Sequence, residues 1–397
     1  MARRVRLGAS SRLSVCAAVL CLGAIPLTYG ACADYIEPPL LTAAQPIDPV
    51  LEDDAEAPRA ASRDASGEPP RRDAGRPGDG GPMVDADGPV YPMPAPLTGG
   101  HLYYTFDNKV FRIAAERGAR PESVSAALDR LGSPGVDTRI TASRDSRWML
   151  FTSDRFGGVS NDSLVLAPSD FSRVEVVRPG GQAVSPQGVA AISPGAGDLI
   201  VYAASTGPHM VDIFATRRQG SRWSAPVLLT GASTYPYNNM PALTLDGTRV
   251  TFDCGQNAYP ETGNNDGCEV NVDGSALRRI VTSTTLPNAR QSYVQNPHEG
   301  ADGLYFEAAW PVPGRAVPPE IIWMLPKSGG VPVPVQPADN AVSPCGLPDG
   351  RYAMLWLAGP GNARGDHELA VQARGGAAPI VLTPGVDVTD IGIGCGD

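Results

Sequence analysis

The stretch TASRDSRWMLFTSDR, residues 141–155, contains the pattern that decides the fold of this chain. A turn around its aspartate leads into an apolar, aromatic run, which ends in polar residues. The turn acids of this stretch and its copies are Asp145, Asp198, Asp246, Asp302 and Asp349. They lie 53, 48, 56 and 47 residues apart. A period near fifty residues, built on short apolar runs, predicts a repeat architecture.

The second half of each unit recurs as well. An acidic or polar residue followed by a short apolar run is found at 162–166, 212–215, 268–272, 320–324 and 368–371. A turn and a last apolar stretch follow, as at 226–229 and 379–382. Four short strands per unit, separated by turn residues, are typical of a propeller blade.

The two ends of the repeat region complement each other. Residues 386–397 look like the first strand and turn of a unit, whereas residues 99–106 look like a unit without its first strand. We therefore expect an all-β, six-bladed β-propeller in which the C-terminal strand pairs with the first blade and leaves no open edge.

The copies resemble the repeat of TolB-type (PD-repeat) propellers, in which a Ser-Pro-Asp-Gly turn precedes an apolar strand and a Phe-x-Ser segment. Residues 145–151, 153–155 and 162–166 carry the resemblance best, and it extends over 99–397. It implies the propeller fold. Because this fold occurs in periplasmic scaffolds, in polysaccharide lyases and in serine peptidases, the resemblance does not imply one activity.

The N-terminus has the features of an export signal. Four arginines within residues 1–12 precede the apolar run 13–27, and small residues follow up to 33. Such a sequence is typical of a signal peptide, predicted at 1–33. Residues 29–32 resemble a bacterial lipoprotein box, which would place a lipid on Cys32. Ordinary cleavage after Ala33 is the alternative, and we favour the lipid anchor because a tether-like segment follows.

Residues 34–98 have the composition of a disordered acidic, Pro-rich linker. They contain 13 prolines and 13 acidic residues against five basic ones, with almost no periodic apolar pattern. Such a segment buries too little apolar surface to offset its ordering entropy. The predicted propeller, 99–397, then carries a net charge of −6. A mildly acidic domain has no electrostatic attraction for nucleic acid.

Cysteine usage agrees with export. Three of the seven cysteines lie in the signal region, and Cys254, Cys268, Cys345 and Cys395 remain. Four cysteines in an oxidising compartment indicate two disulfides, with three possible pairings. The propeller resemblance implies one choice. Cys254 and Cys268 would face each other across a hairpin, while Cys345 and Cys395 would lie in neighbouring blades.

The sequence offers little catalytic chemistry. The four histidines, at 101, 209, 298 and 367, fall in different units, and no Gly-x-Ser-x-Gly nucleophile motif occurs. No cofactor or metal motif is present, and residues 264–267 are interpreted as a turn rather than a calcium loop. The alternative to a non-enzymatic protein is a polysaccharide lyase or hydrolase that uses His298 and Glu299 at the mouth of the channel.

Binding residues are expected on the loops around one channel mouth, where Tyr, Trp, Asn and Arg suit carbohydrate or peptide recognition. The candidates are Asp154, Arg155, Asn161, Tyr235, Tyr237, Asn238, Asn239, Asn257, Tyr259, Tyr293, Asn296, His298, Trp310, Arg315, Asn362, Arg364 and His367. The sequence thus predicts an exported, lipid-anchored binding or scaffold module of the bacterial cell envelope, whose partner is an envelope protein or an extracellular glycan.

Overall fold

The computed structural model describes residues 93, 100–156, 163–207, 210–256, 265–283, 286, 293–309, 320–339, 341–357, 367–373, 378–388 and 393–396. Contacts divide the chain into residues 1–78 and 79–397, and every described residue belongs to the second unit. The predicted signal peptide, Cys32 and all of the predicted linker except Met93 lie outside the described residues, so these assignments stay predictions. In the described part of the chain, no helix is long and apolar enough to cross a membrane.

The described elements are almost all strands. The first group is β1 (His101–Phe106), β2 (Lys109–Ala114) and β3 (Glu122–Ser123), followed by the helix α1 (Val124–Leu128). Next come β4 (Asp137–Ala142), β5 (Trp148–Ser153), β6 (Ser163–Pro168), β7 (Glu175–Val176), β8 (Ala191–Ile192), β9 (Leu199–Gly207), β10 (Met210–Gln219), β11 (Arg222–Trp223) and β12 (Val227–Leu228). The remainder are β13 (Tyr237–Leu243), β14 (Arg249–Gly255), β15 (Asp266–Asn271), β16 (Arg278–Val281), β17 (Tyr293–Glu299), β18 (Gly303–Ala309), β19 (Glu320–Pro326), β20 (Val333–Asp339), β21 (Ala341–Gly346), β22 (Arg351–Leu357), β23 (His367–Ala373), β24 (Ile380–Val381) and β25 (Gly394–Gly396).

The strands pair into several antiparallel sheets, which confirms the predicted all-β class. Three sheets follow chain order, as β4 to β7, β17 to β20 and β21 to β24. A larger sheet contains β8 to β16 and changes from one antiparallel group to the next at a single parallel pair, Val211 with Tyr237. The fourth four-stranded sheet has the order β25-β1-β2-β3, in which Leu102 pairs with Cys395.

The repeated turn acids close the connection between the first two strands of a group. Ser143 Oγ donates a hydrogen bond to Asp145 Oδ1 at 2.7 Å and accepts one from the backbone N of Trp148 at 3.0 Å. Thr244 Oγ1 makes the equivalent 2.7 Å bond to Asp246 Oδ1. The Ser/Thr and Asp residues of the repeat therefore recur because they fix this turn.

The first strand of several groups contains a bulge with a left-handed residue. The positive-φ residues are Arg139, Met240, Asn296 and Ser343, with φ of 55°, 50°, 49° and 51°. Each lies where the register with the second strand shifts. At two of these bulges the freed backbone N–H reaches the preceding group, since Arg139 N donates to Thr105 Oγ1 and Ser343 N donates to Glu307 Oε2. Such bulges bend a strand and increase its twist.

The hydrophobic core lies between successive sheets. Phe151 and Val165 pack with Tyr103 and Val110 between the sheets of β1 and β4. Comparable clusters follow along the chain. The cluster that contains Leu102 and Ile113 also contains Leu355 and Leu369 from β22 and β23. The first and last sheets of the described chain therefore share a core.

Both predicted disulfides are confirmed. Cys254 in β14 is bonded to Cys268 in β15, with Cα atoms 5.9 Å apart. Cys345 in β21 is bonded to Cys395 in β25, with Cα atoms 6.1 Å apart and a sequence separation of 50. Two disulfides are consistent with an exported protein, because reducing compartments disfavour them.

The single described helix, α1, is short and directly follows a strand. Glu122 and Ser123 pair with β2 as β3, and only Val124–Leu128 is helical. The side chain of Ser123 caps α1 by accepting a hydrogen bond from the backbone N of Ala126 at 3.1 Å.

Candidate functional site

A narrow channel is lined by the first strands of the successive groups. Its cavity of about 60 Å³ is bordered by residues of β4, β8, β13, β17, β21 and β25. The lining is mostly apolar, with alanine and proline the commonest residues, and its polar side chains are those of Thr141, Arg144, Asn296, His298 and Ser343. A volume of this size holds a few water molecules, whereas pockets for small-molecule substrates measure several hundred Å³.

Arg144 closes one end of this channel. It follows β4, and its Nη1 donates to the carbonyl oxygen of Gly346 at 2.7 Å, while its Nη2 donates to the carbonyl oxygen of Glu299. These carbonyls belong to β21 and β17, so a single side chain after β4 bonds to two strands that lie 202 and 155 residues further along the chain. The closed end is the one that carries the Asp turns.

His298 is buried beside the second disulfide. Its Nε2 lies 3.5 Å from Cys345 Sγ, and its Nδ1 has no hydrogen-bond partner among the described residues. Burial, and to a lesser extent the charge of Arg144, holds the pKa of His298 well below its usual value. The imidazole is therefore neutral at physiological pH.

Glu299 does not assist His298. Its Oε2 accepts a hydrogen bond from the backbone N of Leu245 at 2.7 Å, and its Oε1 lies 3.8 Å from Lys327 Nζ. Successive side chains of a strand point to opposite faces, so His298 and Glu299 contact different neighbours. Among the described residues, no group of three or more His, Cys, Asp or Glu side chains is arranged to hold a metal ion.

The candidates Asp154 and Arg155 lie within the contact between the first two sheets. Asp154 Oδ1 accepts a hydrogen bond from Val136 N at 2.8 Å. The side chain of Arg155 is 1% exposed and forms ion pairs with Asp129 and Asp137. The side chain of Asp137 is itself fully buried. This ion-pair network stabilises the contact between α1 and β4.

The tyrosines and asparagines at the start of β13 bond mainly to each other and to the preceding group. Asn238 is fully buried, and its Nδ2 donates to Tyr235 O and Asp212 Oδ1. Asn239 Nδ2 donates to the hydroxyl of Tyr237 at 2.7 Å. The half-buried Tyr235 places its hydroxyl 2.8 Å from Asp266 Oδ2. These side chains order the connection that enters β13.

The remaining described candidates are spread over two sheets. The hydroxyl of Tyr293 lies 2.5 Å from Glu320 Oε1, and Asn296 Nδ2 donates to Glu307 Oε2 at 3.1 Å. His367 starts β23, where its backbone N donates to Asp387 Oδ1 at 2.9 Å. Of the described candidates, only Asn296 and His298 line the channel cavity.

Seven candidates lie outside the described residues, and their binding roles stay predictions. They are Asn161, Asn257, Tyr259, Trp310, Arg315, Asn362 and Arg364. In sequence, each falls between the second and third strands of its group.

Sequence reasoning missed Arg144 as a determinant of the channel. The residue before the turn acid is arginine only here, since the other turns have Gly197, Leu245, Ala301 and Pro348 at that position. A single basic residue at an otherwise small or apolar repeat position was the signal that could have identified it.

A second cavity, of about 370 Å³, lies beside β15. It is bordered by residues 232–235 and by Cys268, Leu277, Arg278 and Arg279. Arg278 pairs with Glu269 at 2.8 Å and Arg279 with Asp266 at 3.4 Å. Because both arginines are paired with carboxylates, their charge is largely balanced within the domain.

Comparison with known proteins identifies the fold. No protein-family model matches the sequence. No curated protein matches it either. Among solved structures, TolB from Acinetobacter baumannii superposes with a TM-score of 0.53 at 14% identity, over 75% of this chain and 67% of that one. Kuenenia stuttgartiensis hydrazine synthase gives 0.50 at 12% identity, over 74% of this chain and 46% of that one.

The likeness extends to peptidases more weakly. A puromycin-hydrolyzing peptidase from Mycobacterium tuberculosis gives a TM-score of 0.46 at 14% identity, and the match covers 77% of this chain and 47% of that one. At such identities the comparisons show the fold alone. The chain has a TolB-like fold, as the sequence resemblance predicted.

Proposed function

We propose that this protein is an exported, lipid-anchored, non-enzymatic binding or scaffold module of the bacterial cell envelope. Its TolB-like domain would be a closed, six-bladed propeller, and its binding face would be the channel mouth opposite Arg144. Lipidation of Cys32 and the acidic linker would hold the domain at a membrane surface.

Support for six blades and closure comes from three features of the described chain. The strands form six antiparallel groups if the sheet of β8 to β16 is divided at the Val211–Tyr237 pair. One strand from each group contributes to the channel lining. The last strand, β25, pairs with β1 and is bonded through Cys395 to β21.

The size of the channel carries the functional proposal. This cavity of about 60 Å³, which Arg144 helps to line, is much smaller than a typical pocket for a small-molecule substrate. His298 and Glu299, the residues of the enzyme alternative, contact different partners. Recognition is therefore expected on the surface, where we predict that the connections between second and third strands surround the channel mouth.

An envelope protein is a better partner for this mouth than a glycan. Glycan sites usually offer an open aromatic face for stacking. Tyr293 is buried, and the hydroxyls of Tyr235, Tyr237 and Tyr293 are all engaged within the domain. These three tyrosines are therefore held by contacts within the domain, which favours a protein partner over a glycan that stacks on a free ring.

Site-specific photo-crosslinking tests the binding face. A photoreactive phenylalanine analogue at the exposed Thr206, at the end of β9, should give a discrete crosslinked protein in intact cells. The matched control is the same analogue at the exposed Thr248, in the Asp turn at the opposite end. Equal crosslinking at both positions, or a product that is glycan, would contradict the proposal. So would polysaccharide cleavage that is lost in His298→Gln.

The anchor is tested separately by the intact mass of the mature protein. A diacylated N-terminal Cys32 is expected, and a Cys32→Ala variant should be released from the membrane fraction. A wild-type chain that begins at Asp34 without lipid would exclude the anchor while leaving the binding proposal open to its own test.

A further inference from the structure

A buried carboxylate near the end of β14 has no counter-charge among its described contacts. Asp253 is 1% exposed, and its Oδ1 has no hydrogen-bond partner among the described residues. Burial raises the pKa of Asp253 well above its usual value, and the nearby charge of Glu307 adds to the rise. A carboxylate in such a place is costly unless a cation or a proton neutralises it.

The chain segments on both sides of β14 each carry, close in register to Asp253, a buried amide oxygen without a donor among the described residues. Asn239 lies directly opposite Asp253 in the β13–β14 register, so the two side chains share one face. Its Nδ2 is engaged by the Tyr237 hydroxyl, and its Oδ1 has no partner among the described residues. On the other side, Asn265 precedes β15 and is fully buried, and neither of its amide atoms has a described partner.

A glycine makes room for the Asn265 side chain. Gly255 lies two residues after Asp253, on the same face of β14, and a Cβ there would overlap the Asn265 carbonyl oxygen. The Asn265 amide is thus held over Gly255, on the face of β14 that also carries Asp253. The carboxylate of the adjacent Asp266 does not join this group, because it bonds to the Tyr235 hydroxyl and to Ser283.

We propose that Asp253, Asn239 and Asn265 bind a hard cation of the calcium class through their side-chain oxygens. Carboxylate and amide oxygens are the ligands that Ca²⁺ prefers, and the other coordination positions fall to water or backbone oxygens. Three buried oxygens without donors on adjacent strands are explained together by one cation. A single proton on Asp253 supplies a donor to one of the two amides and leaves the other without a partner.

Calcium titration of the chelator-treated full-length protein tests the site. With the affinity of extracellular calcium modules, 5 mM CaCl₂ should raise the melting temperature by about 2–4 °C. Calorimetry should show one binding site per chain, and NaCl at matched ionic strength should give neither effect. Asp253→Asn should abolish both effects, whereas Asp273→Asn, a control at the fully exposed turn carboxylate after β15, should keep them.

Three outcomes would overturn the proposal. The first is a wild-type protein that shows no heat of binding and no thermal shift at millimolar calcium. The second is an Asp253→Asn variant that keeps the shift. The third is an Asp253→Asn variant that melts as high as wild type while neither protein responds to calcium. That result would mean that Asp253 is a neutral acid in the folded protein. If Asp253→Asn does not fold, Asn265→Ala should weaken calcium binding at least tenfold, and unchanged affinity counts against the site.

Discussion

Replacing Cys345 and Cys395 together by alanine removes the disulfide that joins β21 to β25. This bond closes a loop of 50 residues, whereas Cys254–Cys268 closes one of 14. The loss of chain entropy in the unfolded state gives about 4 kcal/mol for the longer loop and about 3 kcal/mol for the shorter one. The longer bond also holds a strand whose pairing with β1 spans only three residues.

Urea unfolding of both double variants measures these values, with the Cys254→Ala/Cys268→Ala protein as the matched control. The Cys345→Ala/Cys395→Ala variant should lose about 1 kcal/mol more than the control. It should also gain a protease-sensitive site near its C-terminus, because β25 then depends on three backbone pairs alone. A smaller loss than in the control, or a C-terminus that stays protected, would refute the idea that this disulfide secures the closing strand.

Three further perturbations test the channel and the turns. Arg144→Met should destabilise the protein by about 2–4 kcal/mol in urea unfolding, since its two charged hydrogen bonds are lost, whereas Arg147→Met in the same turn should cost less than about 1 kcal/mol. Because the pKa of His298 is lowered in the folded state, stability should fall on its account from pH 7 to pH 5, by at most about 2 kcal/mol, and His298→Gln should lack that component. Hydrogen bonds from Thr244 and then the Thr248 backbone lower the pKa of Asp246 to about 2, so its stabilising contribution should be present above pH 4 and vanish as the pH approaches 2. Asp246→Asn should therefore differ from wild type at pH 5 and match it near pH 2 in thermal unfolding.

The repeat could be read from sequence because its signals are local. Asp145 and Asp246 bond to a Ser or Thr two residues earlier, so the turn leaves a short, recognisable pattern. The disulfides followed from the same reasoning, because fold and strand order determine which cysteines face each other. These features depend on residues near in sequence or on the order of the units.

The channel could not be predicted in the same way. Arg144 meets carbonyls of residues far along the chain, and backbone carbonyls carry no residue-type signal. The left-handed bulges use Arg139, Met240 and Ser343, none of which is a residue type that favours positive φ. Tertiary contacts impose this backbone conformation, so composition does not indicate it.

The roles of the candidate binding residues also depend on tertiary contacts that the sequence does not reveal. Loop position and residue type do not separate a ligand contact from an internal one. Arg155 is a polar loop residue in sequence, yet two carboxylates surround it in the structure. Asn238 likewise donates its amide hydrogen to Tyr235 O, in the segment that enters its own strand. Only burial and partner geometry distinguish these cases.

During biosynthesis, β1 cannot pair with β25 until the ribosome has synthesised the residues between them. Phe106 and Gly394 are 288 residues apart, so a ribosome working at 5–20 residues per second needs about 15–60 s to supply the partner of β1. Throughout that interval the emerging polypeptide exposes an unfilled row of amide and carbonyl groups, a template for association with other nascent chains. Folding of this chain should therefore depend on factors that cover that row until β25 is available.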